Sequence, residues 1–254
     1  MSDLFWLTDE QMGRLRPFFP KSHGKPRVDD RRVLSGIIFV NRNGMRWRDA
    51  PREYGPHKTL YNRWKRWSDM GIFSRMMDGL AAGRAEPQTI MIDATYLKAH
   101  RTASSLRPKK GDPGRLIDRT KGGMNTKLHA VIDQNGRPLS FFMTAGQISD
   151  YTGAAALLDS LPAAQWMLGD RGYDADWFRD ALEEKGIKPC IPGQKSRGKP
   201  VKYDKRKYKR RNRIEIMFGR LKDWRRIATR YDRSPTVRGG PHFLDRCLSS
   251  HDRH

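Results

Sequence analysis

The chain has 254 residues with 51 basic against 28 acidic side chains, a net charge of +23 that opposes self-association and favours a polyanionic partner: nucleic acid first, an anionic membrane surface or ribosomal RNA as alternatives. That length can bury a sizeable core and suits two domains of ordinary size. Its longest apolar runs, "GIIFVN" and "LSFFMTAG", fall far short of the roughly 18 residues of a membrane span, and the start "MSDLFWLTDEQ" lacks the order of a secretory signal, so a cytoplasmic protein that stays where it is made, with no membrane span, is expected.

Thr8 followed by Gln11 reads as a capping box, with Met12, Leu15 and Phe18 on one face of a short helix near 8–19. "DDRRVLSGIIFVNRNG" places Val33, Leu34, Ile37 and Ile38 at helical spacing and stops at Asn43-Gly44, a buried second helix. Gly55-Pro56 opens a third, with Leu60, Tyr61, Trp64 and Trp67 on one face and Lys58, Asn62, Arg63, Lys65 and Arg66 on the other. A basic outer face after a packed helix fits the recognition helix of a helix-turn-helix-like module, although the connection from 44 to 55 exceeds the standard tight turn. A merely solvated basic face explains the same helix equally well.

From residue 89 the pattern changes to strands. "TIMIDAT" is a short apolar run, "KLHAVID" and "PLSFFMTAG" flank the hairpin signal Asn135-Gly136, and Asp150 can cap a helix "YTGAAALLDSL". "WMLGD", the helix "DADWFRDALEEKG" capped by Asp174, and "IKPCIP" follow, with Cys190 assigned to a strand core. This order predicts an α/β fold with a mixed sheet. The two cysteines, Cys190 and Cys247, form neither a metal-ligand spacing nor a disulfide framework, which suits a reducing compartment. Residues 100–123 form a polar loop rich in Gly, Pro and Arg. Residues 195–233 carry 17 Lys or Arg against 4 Asp or Glu, a net +13 concentrated around Glu215.

Two apolar strands end on an acid, Asp93 and Asp170, and the carboxyl ends of strands are where ligands gather in open sheets. Each acid alone is more often a turn or cap residue. Clustered carboxylates need a cation, and oxygen-only ligands favour hard ions such as Mg²⁺. Tyr208, Arg211, Glu215 and Lys222 lie at offsets of 3, 7 and 14, hence on one side of a helix. There Arg211 can grip a phosphate with two donors, Lys222 can supply a compact charge and Tyr208 can stack. An ordinary solvated helix in which Glu215 pairs with Arg211 is the competing reading. His129 reads as a sheet residue, Asp133 lies beside the hairpin turn, and His100 and Asp118 border or lie in the basic loop.

Tyr208, Arg211, Glu215 and Lys222 at these spacings resemble the Y-R-E-K signature of bacterial insertion-sequence DDE transposases of the insertion-sequence-five family. "GDRGYDAD" and "IDATYLKAHR" are similar to that family's second- and first-acid motifs, and "WRDAPREYGPHKTLYNRWKRWSDMGIF" to its DNA-binding region. The likeness spans residues 4–233. It implies a helical DNA-binding domain over 1–85 and an RNase H-like catalytic domain over 86–233, in which Asp93, Asp170 and Glu215 bind two Mg²⁺, with Mn²⁺ as a substitute. It further implies cleavage at the terminal inverted repeats, joining of the 3′-hydroxyls to target DNA, phosphate contacts from Tyr208, Arg211 and Lys222, and a homodimer or higher oligomer on DNA. An RNase H-like nuclease without strand transfer and a decayed, catalytically inactive DNA-binding protein are the competing functions. After Arg233 the resemblance ends: Pro235, Gly239, Gly240 and Pro241 discourage the apolar helix usual there, so a frameshifted or truncated tail is expected over 234–254.

Overall fold

A computed structural model describes residues 3–21, 28–82, 87–104 and 116–231. They group into two units, one made of the chain up to residue 82 together with Leu221–Thr229, the other of the chain from 87 to Arg220 together with Arg230. Residues 105–115 of the basic loop and the whole expected irregular tail lie outside the described residues.

In the first unit, helix α1 (Asp9–Leu15) starts on the capping box, with Thr8 Oγ1 accepting from Gln11 N and Gln11 Oε1 accepting from Thr8 N. The expected helix over 8–19 is shorter, because the chain tightens into a 3-10 turn at Arg16–Phe18, where Pro17 contributes no backbone donor. Helix α2 (Asp30–Asn43) stops where expected, on Gly44 at φ +70°. A side chain at 44 would begin 2.7 Å from Arg225 Cβ, so the glycine also admits a close neighbour. Helices α3 (His57–Asp69) and α4 (Ile72–Ala82) follow, and Leu15, Leu34, Ile37, Ile38, Leu60, Trp67 and Phe73 form the buried interior. The one-turn helix Arg225–Ala228 packs on α2, with Arg226 Nε donating to Met45 O at 3.1 Å and its guanidinium 5.2 Å from the Trp47 ring. Residues 221–229 therefore group with the helical unit and not, as the 86–233 boundary implied, with the sheet.

The second unit is built on a sheet. Strand β1 (Thr89–Ala99) runs longer than "TIMIDAT" predicts and leads to a one-turn helix α5 (Arg101–Ser104). Strands β2 (Asp118–Thr120), β3 (Gly123–Asp133) and β4 (Pro138–Ala145) come next, then helix α6 (Asp150–Leu158), strand β5 (Trp166–Leu168), helix α7 (Asp176–Glu184) and strand β6 (Lys188–Cys190). Helices α8 (Lys205–Tyr208) and α9 (Asn212–Lys222) precede the short β7 (Thr229–Arg230). Among the described residues the sheet has the order β2-β3-β1-β5-β6, with β4 also on β3 and β7 also on β1. β3 is antiparallel to β1, β2 and β4, while β1, β5 and β6 run parallel to one another, which is the mixed sheet the element order implied.

The β3–β4 hairpin turns at Asn135-Gly136 as expected, with Gly136 at φ +77° and Asp133 Oδ1 accepting from Asn135 N and Arg137 N at 2.8 Å. Helices α6 and α7 cover one face, burying Ile90, Ile92, Val131, Leu157, Met167, Phe178 and Leu182. α6 comes so close that a side chain at Gly153 would begin 2.0 Å from His129 Nδ1. His129 itself is a buried sheet residue, its Nε2 2.9 Å from Thr144 Oγ1, and burial lowers its pKa to about 4.

Candidate active site

Register brings Asp93 and Asp170 together. The last parallel pair between β1 and β5 is Met91 opposite Leu168; two residues further on lie Asp93, which is inside the long β1 and does not close it as expected, and Asp170, just past the end of β5. Asp93 is largely buried, with a side chain 16% exposed. Its Oδ1 accepts from Ala94 N at 2.8 Å and its Oδ2 from Arg211 Nη1 at 2.7 Å. Asp170 Oδ1 accepts from Gly172 N at 2.8 Å and starts the 3-10 turn Arg171–Tyr173.

Glu215 joins this pair through Arg211, whose Nη2 donates to Glu215 Oε1 at 2.6 Å. One planar guanidinium thus links the third acid, four residues away, to the first, 118 residues away in sequence. The single helix expected from Tyr208 to Lys222 is in fact α8, a 3-10 turn at Lys209–Arg211, and then α9. The turn keeps Tyr208, Arg211 and Glu215 on one side, with the Arg211 guanidinium carbon 5.9 Å from the Tyr208 ring. Lys222, exposed at the end of α9, falls in the stretch that groups with the helical unit.

Burial leaves the Asp93 carboxylate incompletely compensated as an anion. Burial is the largest influence on Asp93; Arg211 and the Ala94 N–H oppose it, Asp170 adds to it, and the net result is a pKa raised to about 6. Among the described residues, no three acidic, histidine or cysteine side chains are gathered closely enough to hold a metal ion as they stand. Arg211 supplies the cation between two of the acids instead. The donor set nonetheless suits a hard divalent ion: it is all carboxylate oxygen on rigid elements, and its most buried member is unfavourable as an anion.

Neither Asp150 nor Asp174 is the helix cap expected of it. Ser149 and Ala175 occupy the cap positions, without side-chain bonds to the helix ends. Asp150 pairs with Lys127 Nζ at 3.2 Å, and Asp174 accepts from Arg179, Arg197 and Gln194 N. In each case a buried or half-buried cation competes for the carboxylate more strongly than a backbone N–H does.

On α3, Lys58, Asn62, Lys65 and Arg66 are exposed, and Lys65 reaches Asp69 at 2.7 Å. Arg63 departs from the expected outer face: its Nη1 meets Asp30 Oδ1 at 2.9 Å and its guanidinium carbon lies 5.2 Å from the Trp67 ring. That pairing commits it to the interior of its own unit. Tyr61, expected on the buried face, is 39% exposed, because its ring packs at the rim against Trp47 and Trp64 at 5.7 and 5.9 Å.

Asp93 within β1, Asp170 just past β5 and Glu215 on a following helix are carried by a mixed α/β, RNase H-like fold, and comparison with known proteins names the family. Residues 84–239 match the family described as transposase DDE domain, and residues 7–77 match one described as putative transposase of IS4/5 family. The chain belongs to the DDE transposases of insertion sequences, a family that works with divalent metal ions. It is 38% identical over 116 residues to a putative transposase for insertion sequence element IS6501 from Brucella ovis, covering 45% of this chain and 88% of that protein. It is 30% identical over 153 residues to the putative transposase for IS402 from Burkholderia cepacia, covering 56% of this chain and 68% of the relative. Its fold is similar to that of the piggyBac transposase in a synaptic complex with hairpin DNA, with TM-score 0.52 and 8% identity over 99% of this chain and 75% of that one. Among the described residues no helix is long and apolar enough to cross a membrane.

Proposed function

We propose that this transposase binds the terminal inverted repeats of its insertion sequence, cuts the DNA at the element ends and joins the freed 3′-hydroxyls to target DNA. Asp93, Asp170 and Glu215 would hold two Mg²⁺, or Mn²⁺ in their place. Bound there, the ions would polarise the scissile phosphate and stabilise the attacking and leaving oxygens of an in-line displacement. The observation that carries this reading is the parallel register that sets Asp93 beside Asp170, with Arg211 tying Glu215 to the same point.

The chain's own groups divide the remaining work. Arg211 bridges Asp93 and Glu215, and with a cation between those acids both guanidinium edges would become available to a DNA phosphate. Tyr208 holds the guanidinium plane from the side, and Lys222 extends the basic face of α9. In the helical unit, Lys58, Asn62, Lys65 and Arg66 would meet DNA, with Lys and Arg supplying phosphate affinity. Pairing of two element ends calls for a homodimer or higher oligomer. The site of action is the bacterial nucleoid.

The test incubates the protein with Mg²⁺ and DNA carrying the inverted repeats that flank its gene. Cleaved ends and joined products are expected. Cleavage without joining would make it a nuclease, and salt-sensitive binding without cleavage a decayed DNA-binding protein. Asp93→Ala, Asp170→Ala and Glu215→Ala should each abolish cleavage while binding persists; a variant that still cuts removes its residue from the catalytic set.

A further inference from the structure

Beside the three acids stands a fourth. Asp150, the first residue of α6, presents Oδ1 to Lys127 Nζ at 3.2 Å. Its Oδ2 lies 3.0 Å from the point where a side chain at Gly172 would begin, and Asp170 Oδ1 lies 2.9 Å from that same point. A glycine at 172 therefore lets two carboxylates close in around one Cα. Lys127 is firmly placed: its side chain is 9% exposed, and Nζ donates to Ile148 O at 2.7 Å and sits 5.2 Å from the Tyr96 ring. By holding Oδ1, it fixes the direction of the other oxygen.

Next to these acids is an unpartnered donor. Tyr173 is wholly buried, and its hydroxyl has no hydrogen-bond partner among the described residues. Leaving such a group unpaired costs the full desolvation of its hydroxyl, and native proteins seldom carry one without a use. Burial first, and then the charges of Asp150, Asp93 and Asp170, keep its proton in place. The hydroxyl is thus a fixed donor within reach of the fields of three carboxylates.

We propose that Asp150 is a fourth acid of the cation-binding centre, facing a cation at Asp170 across Gly172, and that the Tyr173 hydroxyl donates to the Asp150 carboxylate once the cation draws the acids together. This rests on the reading of Asp93, Asp170 and Glu215 as cation ligands. Asp150 and Tyr173 are positioning residues: they orient the carboxylates and the ion's hydration, and neither needs to touch DNA.

Mn²⁺ titration of the full chain, read by the electron paramagnetic resonance of free Mn²⁺, tests it. Asp150→Asn and Tyr173→Phe should each weaken binding about tenfold or more, while Asp180→Asn, an exposed charge on α7, should leave it at the wild-type value. Without metal, Tyr173→Phe should melt at or above the wild-type temperature, since it deletes an unpaired hydroxyl. A lower melting temperature with unchanged Mn²⁺ affinity would make that hydroxyl structural and overturn the proposal. Should Asp150→Asn fail to fold, the near-isosteric Tyr173→Phe decides alone. If both variants bind Mn²⁺ like wild type while Asp93→Asn does not, only this inference falls. If wild type takes up no Mn²⁺, or Asp93→Asn binds it equally well, the reading of the three acids falls and this inference with it.

Discussion

Two buried aspartates of the sheet unit meet their cations in opposite ways. Asp174, with a side chain 1% exposed, accepts from Arg179 Nε at 2.8 Å, Gln194 N at 2.6 Å and Arg197 Nε at 3.1 Å. Burial alone would raise its pKa, yet these bonds together hold it below the usual carboxylate range. Asp93 shares a single arginine with Glu215, has another acid for a neighbour, and ends at about 6. A carboxylate whose lone pairs are all matched by the protein braces the fold; here it ties α7 to the loop that leads towards α8. One left short of positive charge is suited to taking up a cation from outside.

The largest test of this contrast is Asp174→Ala. It strands Arg179, whose side chain is 11% exposed, and should cost about 3–5 kcal/mol, seen in urea denaturation as a lower midpoint. Asp93→Asn should act in the opposite direction. Because the folded pKa of Asp93 lies above its ordinary value, the wild type loses stability as pH rises from about 4 through 6, whereas the asparagine variant does not. In EDTA the variant should therefore gain on wild type over that window, by roughly 3 kcal/mol at pH 8. A difference that stays flat with pH would remove the charge deficit from the account.

The helical unit repeats the contrast on a smaller scale. Arg63→Ala breaks the Asp30 pair and uncovers Trp67, so thermal melting should register a loss of about 1 kcal/mol. Exposed Lys58→Ala should stay within about 0.5 kcal/mol of wild type in stability. Its effect should appear instead as weaker binding to every DNA sequence, with a salt slope shallower by about 1.

Patterns set by backbone periodicity were legible in the sequence. The capping box of α1, the stop of α2 at Gly44, the Asn135-Gly136 hairpin and the acid just past β5 follow from local chemistry, and each is present, whereas Asp93 lies inside β1 because pairing with β3 carries that strand on to Ala99. Less legible was what depends on which charged side chain reaches which. The 3-7-14 spacing gives Arg211 a helical neighbour in Glu215, but nothing local tells that its other edge reaches Asp93. Arg63 turns inward because Asp30, distant in sequence, waits on α2. Asp150 and Asp174 look like helix caps by position, yet lysine and arginines from other elements claim them. Tyr173 sits in "DRGYD" without any periodic mark; the signal that could have found it is a buried aromatic hydroxyl among acids, which only tertiary structure displays.

A divalent cation is expected to supply the compensation that the buried Asp93 carboxylate lacks. Thermal melting at pH 8, with and without saturating Mn²⁺, tests it on wild type and Asp93→Asn side by side. Wild type should rise with metal, by about 2.7 kcal/mol when the ion stands at 100 times its dissociation constant. Asp93→Asn should start above wild type in EDTA and gain little from the ion. An Asp93→Asn protein that melts below wild type in EDTA and keeps the full Mn²⁺ shift would show that Asp93 holds no cation.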